Sequence, residues 1–422
     1  MKNLHQSSKN KRVLLISHNF SPEPTGIGKY NGEMMYWLAK NGYDCTVITT
    51  FPYYPHWKIQ EPYKNGWYKV ERIKPQDGGG ELVIYRCPLY VPKNPTGKKR
   101  MMQDASFWTS KLWIIVKMIL LRKKNDLIIT VAPPFHLAYL GLMIRKATGG
   151  KLLYHVQDMQ IEAAQDMNML GGNKMFDRLY KIEKDILTKA DYVSSISAGM
   201  IRKIEAKAGK KVGFFPNWVD TAAFFPLDNR QELKKKWGYS ESDIVFLYSG
   251  AIGEKQGLEF IIEAAKLVTG KPQIKFIICG SGPYKEKLIQ LAQDAALENV
   301  NFLPVQPKES FNEFLNMADV HLILQKSNAS DLVMPSKLTT ILAVGGVSLI
   351  TAMEGTSLYE LTKKYDFGYV IEPEQTQLLA DTMVSILQKN DIAVKQENAR
   401  HYALKYLNID NVMSDFAGQY LQ

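Results

Sequence analysis

Two segments in the C-terminal half combine small residues with a lysine, a composition that suits phosphate binding. The segment G-A-I-G-E-K-Q-G follows an apolar run and carries Gly250 and Lys255, while M-P-S-K-L-T-T carries Ser336 and Lys337 at the start of a helical segment. Glycine and helix N-termini let backbone N–H groups approach an anion, and lysine supplies a point charge. We predict one diphosphate site, with a solvated lysine and a simple helix cap as the alternatives. Three further residues are assigned to it: Asp331, Leu338 and Thr339.

Glycine pairs follow two other apolar runs. Gly26 and Gly28 come after the first run and precede a helical segment from about Tyr30 to Lys40, and Gly280 and Gly282 follow a later run. Glycines at the start of a helix allow the helix dipole to point at an anion at close range. Both pairs are candidates for the same phosphate site, with a plain strand-to-helix turn as the alternative.

Polar residues also mark the end of the run L-L-Y-H-V. His155 lies within this run and Asp158 just past it. An aspartate or histidine at such a position could act as a general base or hold a substrate hydroxyl. The alternatives are a histidine that is hydrogen-bonded inside the sheet and an aspartate that caps a helix. The seven histidines show no metal-ligand spacing, so we predict no protein-bound metal.

A basic and aromatic segment forms a third kind of candidate site. Lys98, Lys99 and Arg100 precede the apolar stretch F-W-T-S-K-L-W-I-I-V-K-M-I-L-L, which contains Trp108 and Trp113. A helix with tryptophan on its apolar side and cations at its ends can lie in the headgroup layer of a membrane. We predict an acceptor or membrane surface here, with an ordinary helix packed on a sheet as the alternative.

Short apolar runs that alternate with helical segments would position these residues. The runs are 13–17, 45–49, 82–86, 126–131, 152–156 and 192–197 in the N-terminal half, and 244–250, 274–280, 300–303, 320–324, 347–351 and 369–372 in the C-terminal half. This alternation is typical of parallel sheets covered on both faces. It predicts an α/β protein with two Rossmann-like, doubly wound domains that face each other across a cleft. Ligands of such folds bind at the carboxyl ends of the strands.

The alternation breaks once, and the break predicts a domain boundary. The segment 213–240 contains F-F-P-N-W-V-D-T-A-A-F-F-P and then three consecutive lysines. We therefore predict an N-terminal domain over 1–212, a linker over 213–240 and a C-terminal domain over 241–400.

The charge and the cysteine content of the chain restrict the classes of binding partner and the cellular compartment that fit it. The chain has 53 Lys and Arg against 42 Asp and Glu, a net charge of +11, which favours nucleic acid, anionic lipid or phosphate-bearing substrates. No nucleic-acid-binding signature occurs, so we predict no nucleic-acid partner. Three widely spaced cysteines fit a reducing compartment. We find no signal peptide and no run long enough to span a membrane, and we expect a cytoplasmic protein.

Together these motifs resemble the retaining GT-B glycosyltransferases of family 4 over nearly the whole chain. The matching stretches are P-T-G-I-G (24–28), A-D-Y-V-S-S-I-S-A-G-M (190–200), P-N-W-V-D (216–220), Y-S-G-x-I-G-x-x-Q-G-L (248–258), C-G-S-G-P (279–283), A-D-V-H-L (318–322) and M-P-S-K-L (334–338). Q-D-M-Q (157–160) together with M-P-S-K-L-T-T looks closest to the glycosyltransferases of colanic acid clusters. Those proteins are described as fucosyltransferases that build exopolysaccharide repeat units on a lipid carrier.

The resemblance implies a hexosyltransferase-type enzyme that needs no cofactor. Its donor would be a GDP- or UDP-linked sugar bound by the C-terminal domain, and its acceptor a polyprenyl-diphosphate-linked oligosaccharide bound by the N-terminal domain at the inner membrane face. It implies retention at the anomeric carbon, with Lys337 stabilising the leaving diphosphate and Asp158 orienting the acceptor hydroxyl. It also implies a C-terminal helix, within 401–422, that crosses back onto the N-terminal domain.

The sequence departs from the family pattern at the donor site. Family members usually carry an arginine and a lysine on the diphosphate, where this sequence has Ala251 and Gln256. Two glutamates that often bind the sugar and ribose are replaced by Leu332 and Thr340. Lys255 and Lys337 could supply the charges instead.

Three other functions fit parts of the same pattern. A GT-B-fold epimerase would convert a nucleotide-sugar without any acceptor. A degenerate transferase that acts as a scaffold would bind lipid or partners but no nucleotide. A basic nucleic-acid-binding protein would show a salt-dependent gel shift.

Overall fold

The computed structural model describes residues 11–23, 26–75, 79–94, 96–166, 173–327 and 334–422. The chain forms two compact units. The first contains residues 1–216 and 412–422, and the second contains residues 217–411.

The first unit is an α/β domain. Its strands are β1 (Arg12–Ile16), β2 (Asp44–Thr50), β3 (Lys69–Ile73), β4 (Leu82–Cys87), β5 (Leu127–Ala132), β6 (Lys151–Val156), β7 (Tyr192–Ser195) and β8 (Gly213–Phe214). Its helices before the second unit are α1 (Gly26–Lys40), α2 (Gly97–Leu120), α3 (Ala138–Thr148), α4 (Gln160–Asp166), α5 (Asn173–Lys189) and α6 (Ala198–Ala208).

These strands form one sheet in the order β3-β4-β2-β1-β5-β6-β7-β8, in which only the β3–β4 pair is antiparallel among the described residues. The chain runs outward from β1 to β2 and then returns through α2 to β5 on the other side of β1. The strand order therefore reverses between β1 and β5, where a doubly wound sheet opens a crevice for ligands.

Each apolar run predicted in the N-terminal half is a strand of this sheet. Every residue of β5, L-I-I-T-V-A, is buried and the strand has neighbours on both edges, which is why it is almost entirely apolar. The exception is β3, K-V-E-R-I, which the apolar pattern missed because it is an exposed edge strand with one partner.

The second unit is a second α/β domain. Its strands are β9 (Ile244–Ala251), β10 (Ile274–Ser281), β11 (Val300–Leu303), β12 (Val320–Ile323), β13 (Ser348–Thr351) and β14 (Gly368–Ile371). Its helices are α7 (Arg230–Lys236), α8 (Glu259–Leu267), α9 (Lys285–Asp294), α10 (Lys308–Asn316), α11 (Lys337–Ala343), α12 (Ser357–Tyr365), α13 (Thr376–Ile386) and α14 (Ile392–Tyr402).

This second sheet is parallel, in the order β11-β10-β9-β12-β13-β14. Alternate residues of β9 enter different hydrophobic clusters. Phe246 and Tyr248 pack with α8 and α13, whereas Val245 and Leu247 pack with α7 and α10. Helices therefore cover both faces, and all six predicted strands of this half are present.

The boundary between the units differs from the predicted linker. The segment 213–240 is divided between them: Gly213 and Phe214 form β8 of the first sheet, and α7 packs into the core of the second unit. The chain passes from one unit to the other between Pro216 and Asn217. Segment 213–240 looked like a linker because its prolines interrupt the helix–strand alternation.

The C-terminal segment returns to the first unit. Residues 401–411 stay with the second unit, where α14 continues into a wider turn over Ala403–Leu407. The final helix, α15 (Ile409–Tyr420), joins the first unit from Val412 onward. Its Phe416 ring lies 4.6 Å from Phe215.

Candidate active site

The strand-end loops of the second unit bring Gly250 and Lys337 together. Gly250 ends β9 with a φ of +148°, a conformation that side chains rarely adopt, and a methyl group placed on it would lie 3.8 Å from Lys337 Nζ. Lys337 begins α11, which follows β12, the neighbour of β9 in the sheet. The two lysine-bearing segments of the sequence therefore meet at the carboxyl edge of this sheet, as parallel strand order requires.

Lys337 has an ammonium group without a counter-ion among the described residues. Its Nζ atom is buried, makes no hydrogen bond and lies 3.4 Å from the centre of the Tyr248 ring. Burial lowers the pKa of Lys337 to about 7, because the charged form loses its hydration. The ring face offers a weak cation–π contact in place of a carboxylate. Such a lysine can receive an anion.

Gly280 and Gly282 have a structural role. A Cβ atom on Gly280 would stand 1.9 Å from the Gly250 carbonyl oxygen, and one on Gly282 would stand 2.1 Å from the Ile252 carbonyl oxygen. The loops after β9 and β10 pack backbone against backbone, which only glycine permits. This contact explains both glycines without a ligand and supports the simple-turn interpretation.

The residues around Lys337 have different environments. Ser336 is exposed and occupies the N-cap position of α11, although its side chain makes no capping hydrogen bond. Leu338 is buried in the core, and Thr339 is buried with its hydroxyl donating to the Ser336 carbonyl oxygen at 2.9 Å. The side chain of Leu338 therefore packs in the core, and that of Thr339 hydrogen-bonds within the start of α11. Donor binding by either residue stays a prediction. Asp331 lies outside the described residues.

Lys255 and Gln256 lie on a short 3-10 turn, Glu254–Gln256, after β9. Lys255 is exposed. Gln256 accepts a hydrogen bond from the Gly253 N–H at 3.1 Å through Oε1, so it fastens the turn. Gln256, which stands at the position of a family lysine, thus has a local structural role.

In the first unit, Gly26 and Gly28 belong to α1 and do not precede it. The helix begins at Gly26, which has a φ of +60°. A Cβ atom on Gly28 would lie 2.6 Å from Glu23 Oε2, so this glycine allows the loop after β1 to pack against the helix. Helix α1 therefore starts four residues earlier than the predicted Tyr30.

The two candidates near β6 differ in position. His155 is buried inside the sheet, with Nδ1 2.9 Å from Ser194 Oγ and its ring 5.0 Å from Phe215. Burial lowers the pKa of His155 to about 3, so the ring is neutral. His155 is a core residue, which favours the alternative of a histidine that is hydrogen-bonded inside the sheet. Asp158 lies two residues beyond β6 at the carboxyl edge and is half-buried.

A polar network that the sequence analysis missed lies at the carboxyl ends of β1 and β5. Asp104 of α2 stands between His18 and His136, at 3.8 Å and 3.4 Å respectively, and the Trp108 Nε1–H donates to His136 Nδ1 at 2.8 Å. The available signal was that each histidine follows an apolar run. Metal-ligand spacing does not reveal this network, because His18, Asp104 and His136 are far apart in the sequence. Among the residues that the structure describes, no group of three potential ligands could hold a metal ion.

Comparison with known proteins identifies the family. Residues 229–405 match the family model of glycosyl transferases group 1. The chain is also 38% identical over 413 residues to WcaI of Escherichia coli (strain K12), which is named as a colanic acid biosynthesis glycosyl transferase; the match covers 96% of this chain and 98% of that protein. The chain is a group 1 glycosyltransferase. The prediction of a glycosyl-transferring enzyme is confirmed.

More distant relatives share the fold of this glycosyltransferase. A GDP-mannose-dependent alpha-(1-6)-phosphatidylinositol monomannoside mannosyltransferase of Mycobacterium tuberculosis is 23% identical over 395 residues, 91% of each chain. The structure of sucrose-phosphate synthase from Thermosynechococcus elongatus superimposes with a TM-score of 0.76 at 16% identity, covering 98% of both chains. The predicted GT-B fold is confirmed.

Helix α2 of the glycosyltransferase carries the predicted basic and aromatic residues. Thr96 caps it by accepting a hydrogen bond from the Lys99 N–H, so Lys98, Lys99 and Arg100 form its first turn and do not precede the helix. Trp113 is 63% exposed, whereas Trp108 is half-buried against His136. Trp113 thus lies on an open surface, and Trp108 belongs to the polar network.

One side of α2 exposes a stripe of apolar side chains at helical spacing. Its members are Met101, Met102, Leu112, Trp113, Val116 and Leu120. Trp67, which is 80% exposed, adjoins this stripe because the Tyr68 hydroxyl donates to the Ser110 carbonyl oxygen of α2 at 2.6 Å. We call the stripe together with Trp67 the apolar face of α2. Across the described part of the chain, no helix has the length and hydropathy of a membrane span.

Proposed function

We propose that this glycosyltransferase moves a sugar from a nucleotide diphosphate sugar to a lipid-linked oligosaccharide during the synthesis of an exopolysaccharide similar to colanic acid. The transfer would retain the anomeric configuration, and fucose is the sugar favoured by the resemblance. The observation that carries the donor half of the proposal is the buried ammonium group of Lys337, which lies beside Gly250 and has no partner within the described part of the chain.

Among the described residues no side chain pairs with Lys337, and a diphosphate would supply the missing negative charge. A buried cation without a partner is unfavourable, and an anion that replaces lost hydration removes that cost. The exposed hydroxyl of Ser336 adds a donor beside it. As the bond between the anomeric carbon and the phosphate oxygen breaks, negative charge develops on the diphosphate, and Lys337 stabilises it.

Retention follows if the acceptor attacks from the face that the phosphate leaves. The bond to the acceptor oxygen forms on that face, and the departing phosphate oxygen takes the hydroxyl proton. No carboxylate nucleophile is then required. Asp158, at the carboxyl edge of the first sheet, would orient the acceptor hydroxyl.

The donor base is proposed as guanine first and uracil second. Guanine is supported by the relative whose name states that it depends on GDP-mannose. The name of the 38% identical relative, a colanic acid biosynthesis glycosyl transferase, supports the exopolysaccharide product.

We also propose that the enzyme binds the cytoplasmic face of the membrane through the apolar face of α2. Exposed tryptophans beside cations suit the headgroup layer of an anionic bilayer. Three cations lie in the first turn of α2, at the positive end of the helix dipole. Each of these positions destabilises the helix by about 0.3–1 kcal/mol. Their position therefore does not stabilise the helix, and an anionic surface would explain it.

Thermal unfolding with UDP, GDP and TDP, each at millimolar concentration, tests the donor site. A ligand at about 100 times its Kd adds about 2.7 kcal/mol of stability, so one of these nucleotides should raise the melting temperature clearly. The Lys337→Met variant should lose most of this shift, and Lys364→Met, on exposed α12, should keep it. Folded protein that responds to none of the three would contradict the proposed donor site.

A further inference from the structure

The first unit holds a polar cluster at the point where its strand order reverses. His18 follows β1, and His136 follows β5, the neighbour of β1 in the sheet. In a doubly wound sheet this is the crevice that receives ligands. Nothing in the donor site described above uses these residues, because that site lies in the second unit.

The contacts of His136 fix where its proton lies. The indole N–H of Trp108 can only donate, so His136 Nδ1 must accept, at 2.8 Å. A neutral imidazole then carries its proton on Nε2, which points at Asp104 Oδ2 at 3.4 Å. With both ring nitrogens engaged in this way, His136 holds the Asp104 carboxylate in place.

The same carboxylate orients His18. Asp104 Oδ1 lies 3.8 Å from His18 Nδ1 and favours a proton there, while the ring stacks on Phe107 at 4.2 Å. Burial and the nearby Lys111 lower the pKa of His18 well below its usual value, so the ring is neutral. His18 Nε2 is thus a hydrogen-bond acceptor, and it is buried without a hydrogen-bond partner among the described residues.

An aromatic side chain and a guanidinium group continue the cluster toward solvent. The Tyr53 ring lies 6.1 Å from His18 and 5.7 Å from Trp57, and Arg100 covers Trp57 at 5.2 Å. Trp57 and Asp104 are half-buried and Arg100 is exposed. We call His18, Trp57, Arg100, Asp104 and His136 the switch-point cluster.

The chemistry of the switch-point cluster suits an uncharged sugar. An indole ring packs against the C–H face of a pyranose, and a carboxylate and a neutral imidazole nitrogen both accept hydrogen bonds from hydroxyl groups. A phosphate fits the inner part of the cluster poorly, because Asp104 would repel it and the neutral His18 offers it no positive charge. The cation of the cluster, Arg100, is exposed and lies over Trp57.

We propose that the switch-point cluster binds the terminal sugar of the acceptor, with one sugar hydroxyl donating to His18 Nε2 and another to Asp104. His136 and Trp108 act as positioning residues that hold Asp104. This inference rests on the proposed function, since it assumes a glycan acceptor. Asp158 would still orient the attacking hydroxyl, and the cluster adds residues that bind the terminal sugar.

The test measures transfer from radiolabelled GDP- or UDP-sugar to lipid-linked oligosaccharides extracted from cells that make the glycan but lack this protein. Asp104→Asn keeps the shape of the side chain and removes the charge that orients both histidines. Trp57→Ala removes the ring. We expect each variant to raise the KM for the extract at least tenfold, with the KM for the donor within about twofold and kcat changed much less. Asp177→Asn, on exposed α5, is the matched control and should behave like the wild type.

Different results separate this inference from the proposed function. An unchanged KM for the extract in both variants, or a fall in kcat alone, overturns the switch-point cluster as the acceptor site. If Asp104→Asn fails to fold, shown by circular dichroism and the loss of a cooperative thermal transition, Trp57→Ala decides alone. Wild-type protein that hydrolyses the donor but transfers nothing to the extract overturns the lipid-linked acceptor itself, and the cluster assignment with it.

Discussion

Lys337 shows how a single residue can reveal a binding site. Its ammonium group is buried against Tyr248 without a carboxylate among the described residues, and burial lowers its pKa to about 7. Buried charges in proteins are normally paired, because an uncompensated one costs several kcal/mol. A counter-ion that arrives with the substrate is consistent with this arrangement.

Replacement of Lys337 should therefore reduce catalysis strongly. We expect Lys337→Ala to lower turnover by at least about 100-fold, which is the usual effect of removing one group that stabilises developing charge. Initial rates with saturating donor measure this change. Lys364→Ala, which removes an exposed lysine from the same unit, should leave the rate unchanged. Near-normal turnover in Lys337→Ala would remove the role assigned to this residue.

The lowered pKa of Lys337 also predicts how nucleotide binding depends on pH. Free protein loses the Lys337 proton as the pH rises through about 7, and a bound diphosphate raises the pKa again by stabilising the charged form. The Kd for GDP or UDP should therefore increase between about pH 7.5 and 9, by up to about tenfold per pH unit. Titration calorimetry measures it. The slope should vanish in Lys337→Met, and an equal slope in that variant would assign the titration to another group.

At the scale of elements, helix α2 has a side with polar residues that faces the first sheet and an exposed side with apolar residues. Its buried side carries Asp104 and Trp108 to the carboxyl ends of β1 and β5, and its open side presents Trp113 and Leu120. The helix is thus amphipathic in an unusual way, since its exposed side is apolar and its first turn is basic. A headgroup layer would accommodate both properties.

Removal of the basic turn should weaken membrane binding. Each lysine or arginine near an anionic surface contributes about 1 kcal/mol, so the triple variant K98A/K99A/R100A should bind anionic liposomes roughly 100-fold more weakly. Sedimentation with liposomes at two salt concentrations measures this, and the wild-type affinity should fall with salt. The variant should still hydrolyse soluble donor.

A matched triple variant separates position from net charge. K363A/K364A/K389A removes three exposed lysines from the second unit and the same total charge. It should bind liposomes like the wild type. Equal weakening in both variants would show that the net charge of +11, and not α2, attracts the membrane.

At the scale of the whole molecule, the chain returns from the second unit to complete the first. Helix α15 covers the end of the first sheet, where Tyr420 packs 5.2 Å from Tyr192 and Lys11 donates to the Leu421 carbonyl oxygen at 2.8 Å. Residues that are about 200 positions from the rest of the first unit therefore belong to its core.

Loss of that packing should destabilise the protein. Phe416 is 2% exposed, and Phe416→Ala should lower the free energy of unfolding of the first unit by about 3–5 kcal/mol, the usual cost of truncating a buried phenylalanine. Thermal unfolding measures it. Leu404→Ala, at a position 44% exposed, should change the midpoint little. A normal midpoint for Phe416→Ala would show that α15 adds little stability to the first unit.

The positions of most strands along the chain could be predicted from the sequence, because buried strands such as β5 and β9 require apolar runs. The meeting of Gly250 and Lys337 could also be predicted, since parallel strands bring their carboxyl ends to one edge. Edge strand β3 could not be predicted, because an exposed strand with one partner does not require an apolar run.

The sequence by itself determined the two α/β halves, the family and the lysine that marks the donor site, because each depends on local residue type and spacing. Only the tertiary structure decided which histidines are core and which face a ligand. His155 lies inside the sheet and hydrogen-bonds Ser194, while His18 and His136 meet across Asp104, more than 80 positions from one of them and about 30 from the other. Spacing along the chain does not encode such contacts; the reversal of strand order between β1 and β5 brings them together.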